Sequence, residues 1–332
     1  MTGSIFSTVV LAISMLPMLT TSPAQASSGT MVITTDTTLT EDHWGNILVD
    51  ASKGTLDCAG HTVSGPGVPG FNGGIEVAGG LSGVTVRRCK VTGFSVNGIY
   101  GGGGASDGRF DANVSYSNGN HGMHLDAGSG YVVLGNTCRS NGEIGIVLTG
   151  GTKSWIVQNT VEDNHNWAGI ALFDGSHDNL ILGNTARRNG AGVVLDGATN
   201  NQLRFNSASS NDNQGFQLIR SANHNLIEFN IADQNVIGFQ MTDGSASNEL
   251  RNNQANCNAS SGFEVFQSNE NKFKKNEADK NGNYGFLVFG GSSSNTLIAN
   301  SAHGSALFDG YDEDTGTGNV WRNNHFGKTA GF

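Results

Sequence analysis

Asn136-Thr137-Cys138-Arg139-Ser140-Asn141-Gly142-Glu143-Ile144-Gly145-Ile146-Val147-Leu148-Thr149 decides the fold, because its asparagine and glycine positions recur along the chain. A glycine followed by an apolar residue returns at Gly98, Gly122, Gly145, Gly169, Gly192, Gly215, Gly238, Gly262, Gly285 and Gly310, in steps of 23 to 25 residues. One asparagine column runs from Asn113 through Asn136 to Asn324, a second from Asn118 through Asn141 to Asn281, and a third from Asn179 to Asn319. A unit this short, with period-2 stretches such as Gly145-Ile146-Val147-Leu148-Thr149, has no room for paired helices or a propeller blade. It predicts one turn of a parallel β-solenoid, three short strands and tight corners, each coil stacked on the next at about 4.8 Å. Asparagine suits the corners, since it tolerates left-handed backbone and its amide bonds an identical amide one coil away. Parallel crossovers are right-handed. The expected fold is therefore all-β, a single-stranded right-handed parallel β-helix of about ten to eleven coils.

Composition agrees. The chain has 332 residues with 49 Gly, 38 Asn and only 4 Pro, which excludes a collagen triple helix and a helical protein. Its net charge of −10, with no basic run beyond Arg87-Arg88-Cys89-Lys90, offers no footprint for a phosphate backbone, so nucleic acid is not an expected partner. Residues 1–26 read as a signal peptide: Ile5 to Leu19 is apolar, Ala24-Gln25-Ala26 is a cleavage motif, and Ser27 becomes the mature start. No other run approaches the length of a membrane span. The expected product is periplasmic or secreted, with a cap and first irregular coil over 27–65, coils over 66–310 and a closing segment over 311–332. Asp312-Glu313-Asp314 reads as charge protecting the last strand edge. Gly101 to Gly104 reads as a mobile lip. Cys58 and Cys89 fall in neighbouring coils and are able to form a disulfide, whereas Cys138 and Cys257 lie five coils apart and cannot pair.

With Gly54-Thr55-Leu56-Asp57-Cys58-Ala59-Gly60-His61-Thr62-Val63-Ser64-Gly65 ahead of the Asn-x-Gly-Ile coils, residues 30 to 327 resemble the right-handed parallel β-helix proteins of the pectate-lyase-like superfamily. The pattern is most similar to the NosD-type and the carbohydrate-binding and sugar-hydrolase β-helix repeats. That resemblance implies a polysaccharide ligand and one of several activities: polysaccharide lyase, polyuronate C5-epimerase, glycosidase, adhesin, or periplasmic maturation protein.

Strand alternation places the residue two after each column glycine on the outside. One outward column then reads Glu76, Tyr100, His124, Val147, Ala171, Val194, Gln217, Gln240, Glu264, Leu287, Asp312, and the next runs from Ala78 through Asp126 and Phe173 to Asp314. Titratable groups gather in the early coils. Abstraction of the C5 proton of a uronate needs a near-neutral base, an acid opposite, and a cation for the enolate-like carboxylate. His124 is the candidate base and Tyr100 the acid, with Asp126 on the same face and Arg109 or Lys153 as the charge neutraliser. His121, Glu143, Lys153, His165, Trp167 and Phe173 are candidate substrate-binding residues. His124-Leu125-Asp126 differs from the Asp-Pro-His of the family's C5-epimerases. Two further readings stand beside this one. His121, His124, Asp126 and His165 offer borderline and hard metal ligands, and Asp174, Asp196 and Asp243 offer carboxylate pairs for glycoside hydrolysis; the cofactor is none or calcium, for which Asp312-Glu313-Asp314 is a second reading of that run. A non-catalytic glycan-binding or NosD-type maturation protein is the rival from another class.

Overall fold

A computed structural model describes residues 27–332; the signal peptide expected over 1–26 lies outside them. Parallel sheets of 14 and 13 strands run the length of the rod, and a third of 9 strands spans residues 27–209 and continues as single bridges through Ile231, Gln254 and Glu277 to a two-strand pair; the three sides meet at sharp corners. The coils number about thirteen rather than ten or eleven. Two of the additional turns come from the aperiodic N-terminal segment, where Met31–Ile33 pairs in register with Ile47–Val49, and that strand with Gly73–Val77, extending the 14-strand sheet. Among the described residues no helix is long and apolar enough to cross a membrane.

The core is built of stacked columns. On the 14-strand sheet the inward position runs Ile75, Ile99, Met123, Ile146, Ile170 and Val193, then Phe216, Phe239, Phe263 and Phe286, whose rings stack at centroid distances of 4.7 to 4.8 Å. A second buried column runs Val63, Val91, Ser115, Cys138, Val161 and Ala186, then Ala208, Ala232, Ala255 and Ala278, and is alanine throughout the phenylalanine coils. Large against small keeps the cross-section filled at constant volume.

The corners are held by asparagine. The Asn136 N–H and amide Nδ2 donate to Asn159 Oδ1 (2.8 and 3.0 Å), and Nδ2 also donates to the Phe110 carbonyl (2.9 Å). Its Oδ1 accepts the N–H and amide of Asn113. The side chain is thus fully satisfied while buried. The left-handed residue is not the asparagine, as expected, but the one before it: Ala112 (φ 51°), Gln158 (φ 53°) and Phe205 (φ 54°) precede Asn113, Asn159 and Asn206. That bend aims the asparagine inward. The glycine column answers the asparagine column sterically: a Cβ on Gly192 would lie 2.5 Å from the Gly215 carbonyl oxygen and 2.9 Å from the Asn211 amide nitrogen.

Cys58 and Cys89 are disulfide-bonded, with Cα atoms 4.7 Å apart; Cys138 is buried and Cys257 exposed, both free. Two expectations are corrected. Gly102 is packed, since a Cβ there would come within 2.7 Å of the Gly79 nitrogen, so Gly101 to Gly104 form a tight turn rather than a lip. Asp312 is buried and accepts hydrogen bonds from the Trp321 indole (3.0 Å) and the Asn319 amide (3.1 Å), so it pins the closing segment instead of guarding an edge.

Candidate active site

The outer face of the 14-strand sheet carries the titratable residues. Its register aligns Glu76, Tyr100, His124, Val147, Ala171, Val194, Gln217, Gln240, Glu264, Leu287 and Tyr311 in one column. Asp312 was expected in the last place; the 25-residue step to Gly310 shifts the phase, so Tyr311 stands outside and Asp312 pairs with Val288 on the core side. Asp126, Thr149 and Phe173 form the adjacent outward column.

Tyr100, His124, Asp126, His121 and Glu143 are brought together as expected. The Tyr100 hydroxyl donates to Asp126 Oδ2 at 3.1 Å, and its ring meets that of His124 edge-on at 5.3 Å. His124 Nε2 lies 3.2 Å from Thr149 Oγ1, a partner that sequence reasoning missed and the column register reveals. His121 packs edge-on to His124 at 5.4 Å and lies 3.5 Å from Glu143. Its Nδ1 accepts the Ile144 N–H (3.3 Å), which leaves the ring proton on Nε2.

Burial sets the protonation states. Desolvation, helped by the neighbouring His124, pulls His121 down to about 4. Desolvation also lowers His124, against an opposing pull from Asp126. Tyr100 is pushed up to about 12, first by burial and then by Asp126 and Glu76. At neutral pH the face therefore presents neutral imidazoles beside a protonated phenol, a base and an acid each in its working form.

Other expected partners stand elsewhere. Arg109 lies on the 13-strand sheet, paired with Asp111 at 3.0 Å, and Lys153 sits at a left-handed corner leading into that sheet. Corner bends turn the chain onto another side within a few residues, so neither serves His124. His165 bonds Asp212 at 3.1 Å, and among the described residues no group of three or more His, Cys, Asp or Glu is placed to hold a metal. Asp174 (φ 50°) and Asp243 (φ 53°) occupy left-handed corners and Asp196 is tied to Arg220, so the aspartates read as structural.

Beyond the titratable cluster the face changes character. Ile144, Val147, Ala168, Ala171, Ala191 and Val194 form a small buried apolar floor flanked by Phe173, on which Trp167 stacks at 4.8 Å. Further on, Gln214 and Gln217 donate to Gln240 (3.0 and 3.2 Å), which donates to Glu264 (3.2 Å).

The family model described as "Right handed beta helix region" matches residues 26–186, 73–232 and 166–302. No curated protein matches the chain. Among solved structures, the periplasmic alginate epimerase AlgG is similar at a TM-score of 0.58 and 17% identity, over 90% of this chain and 76% of that one. The A-module of Azotobacter vinelandii mannuronan C-5 epimerase AlgE6 gives 0.58 at 14% identity, over 92% and 89%. The Dettilon tailspike protein gives 0.53 at 13%, over 89% of this chain and 61% of that one. At such identities the likeness is one of fold. With overlapping matches covering residues 26–302, the chain belongs to the right-handed β-helix family.

Proposed function

We propose that this protein is exported and binds an extended polysaccharide along the outer face of the 14-strand sheet, where it acts on the sugar by proton transfer. The observation that carries the reading is the juxtaposition of neutral His124 with protonated Tyr100 on one open face. Two solved neighbours named as alginate or mannuronan epimerases support a sugar polymer as ligand.

The chemistry this arrangement suits is abstraction of a uronate C5 proton by His124. Thr149 fixes the ring through Nε2, leaving Nδ1 for the substrate, and Asp126 stabilises the imidazolium that forms. Tyr100, a weak acid, delivers a proton to the carbanion for C5-epimerisation, or to the leaving oxygen for β-elimination. The neutraliser expected in Arg109 or Lys153 is absent from this face; the His121 Nε2–H is the donor present for the sugar carboxylate. The test is to incubate the mature protein with a panel of polyuronates, with and without calcium, following ultraviolet absorbance of unsaturated products and NMR of C5 configuration. Conversion that His124→Ala abolishes supports the reading; full activity in His124→Ala refutes it.

A second reading has its own observation. From Glu76 to Glu313 the two outward columns carry Glu76, Asp126, Asp196, Glu264 and Glu313 and neither Lys nor Arg. Such a face favours a neutral glycan held without chemistry, and binding of neutral oligosaccharides with no conversion of any polyuronate would select it.

A further inference from the structure

Away from that face, at the corner between the 13- and 9-strand sheets, lies a feature that the fold does not require. From Ala59 onward each coil places a left-handed residue here, and most coils use a small or flexible one: Ala112, Gln158, Asn252, Lys275, Ala299. Two successive coils use phenylalanine, Phe205 (φ 54°) and Phe229 (φ 57°), a residue that resists this conformation. Neither is rewarded by burial, being 60% and 44% exposed. Their rings are nearly parallel, 5.0 Å apart at an interplanar angle of 5°, and form a flat open platform.

The platform ends in charge. Phe229 lines a shallow depression with Glu228, Arg251, Asn252, Lys274 and Lys275. Glu228 is held by Arg204 (2.8 Å) and Arg251 (2.6 Å), and Glu249 lies 3.6 Å from Arg251. The carboxylates of the two preceding strands are thus engaged with arginines, and the charges of Lys274 and Lys275 remain for an outside anion. In a chain of net charge −10 this is a local reversal of sign.

We infer that the Phe205–Phe229 platform with Lys274 and Lys275 is a binding site for an acidic saccharide, separate from the proton-transfer face. A pyranose ring lays its apolar C–H face on the aromatic pair, the lysines meet a carboxylate or sulfate as point charges, and the Asn252 amide beside them supplies an acceptor and a donor for hydroxyls. This inference rests on the polysaccharide reading but not on catalysis: the site anchors a charged chain that the outer columns, with five carboxylates and no Lys or Arg of their own, do not attract.

The test uses titration calorimetry of the mature protein with an oligouronate and with the same oligosaccharide after carboxyl reduction. Parent and His124→Ala should bind the oligouronate alike and the reduced form at least tenfold more weakly, the difference shrinking with salt. Lys274→Gln/Lys275→Gln should lose tenfold or more and flatten the salt dependence. Phe205→Ser/Phe229→Ser should lose a similar factor with that dependence intact. Serine already occupies left-handed positions ahead of the asparagines of the next corner, at Ser117 and Ser140, so this double variant should fold with an unchanged melting temperature. Unaltered affinity in both double variants, equal binding of the reduced sugar, absence of oligouronate binding, or tighter binding of a single-stranded oligonucleotide would overturn the inference. Loss of binding in His124→Ala alone would overturn it too, by moving the ligand to the other face. Binding by the platform with no conversion of any substrate would leave this site standing and remove the catalytic reading.

Discussion

The corners and the outer face of the 14-strand sheet obey opposite rules. At a corner the same residue returns coil after coil, Asn113, Asn136, Asn159, Asn184, Asn206, because each amide must close the hydrogen bonds of the coil before it. On the face one position reads Glu76, Tyr100, His124, Val147, Ala171, Val194, Gln217, and the backbone beneath does not change. Repetition marks what the backbone needs, and departure from it marks where the molecule meets something else. Stability and activity should therefore be separable by position.

The largest effect belongs to a corner. Asn206 Oδ1 accepts both the N–H and the amide of Asn184, and its Nδ2 donates to Ile181 O and Asn230 Oδ1. Asn206→Leu strands these partners in a dry interior, at 1–3 kcal/mol per unsatisfied group, for a total of about 5 kcal/mol. A urea midpoint close to that of the parent would break the contrast at once. Next comes the face. His124→Ala should cut turnover about 1000-fold, within the usual range for a lost general base and equivalent to about 4 kcal/mol of barrier. Its melting temperature should stay near that of the parent, because the ring lies outside the core and is bonded within the described residues only to Thr149.

A smaller effect comes from pH. His121 is neutral in the fold down to about 4 but charges near 6.5 when unfolded. The unfolded chain therefore binds the extra proton between those values, so stability is complete above 6.5 and declines as pH falls toward 4. The loss is at most about 3 kcal/mol from this residue. In His121→Phe that part of the acid destabilisation should vanish from the urea midpoint against pH. On the catalytic side, Asp126 holds the His124 pKa up against burial. Asp126→Asn should therefore move the acid limb of the rate profile to lower pH, and a limb moving upward would contradict the assigned contact.

The same division explains what could be read before the fold was seen. Periodic glycine and asparagine columns disclosed the solenoid, and simple alternation was enough to put Tyr100, His124 and Asp126 on one face, since parallel in-register strands preserve column order. Arg109 and Lys153 were misplaced because distance along the chain does not tell which side of a bent coil a residue has reached. Asp312 was misplaced because Gly310 stands one place past the glycine column, opposite Phe286, which moves the alternation by one residue. Gln217, Gln240 and Glu264 were legible as a column yet not as a linked relay, because side-chain reach between coils leaves no mark in the spacing.

The sharpest form of the contrast lies within one dipeptide. Phe205 and Asn206 are adjacent, one pointing out of a left-handed corner and the other into the core. Phe205→Gly relieves a left-handed strain of about 1–2 kcal/mol. Against this it forfeits the stack on Phe229, worth about 0.5–1.5 kcal/mol, and frees the unfolded chain by about another 0.5–1 kcal/mol. These terms nearly cancel, and the urea midpoint should move by less than the equivalent of about 1 kcal/mol, against several for its neighbour. If Phe205→Gly proved as damaging as Asn206→Leu, the platform would be part of the frame, and its exposure would need a structural reason. If it proved neutral, a bulky aromatic residue held at an unfavourable corner with no return in stability would point outward, to a ligand.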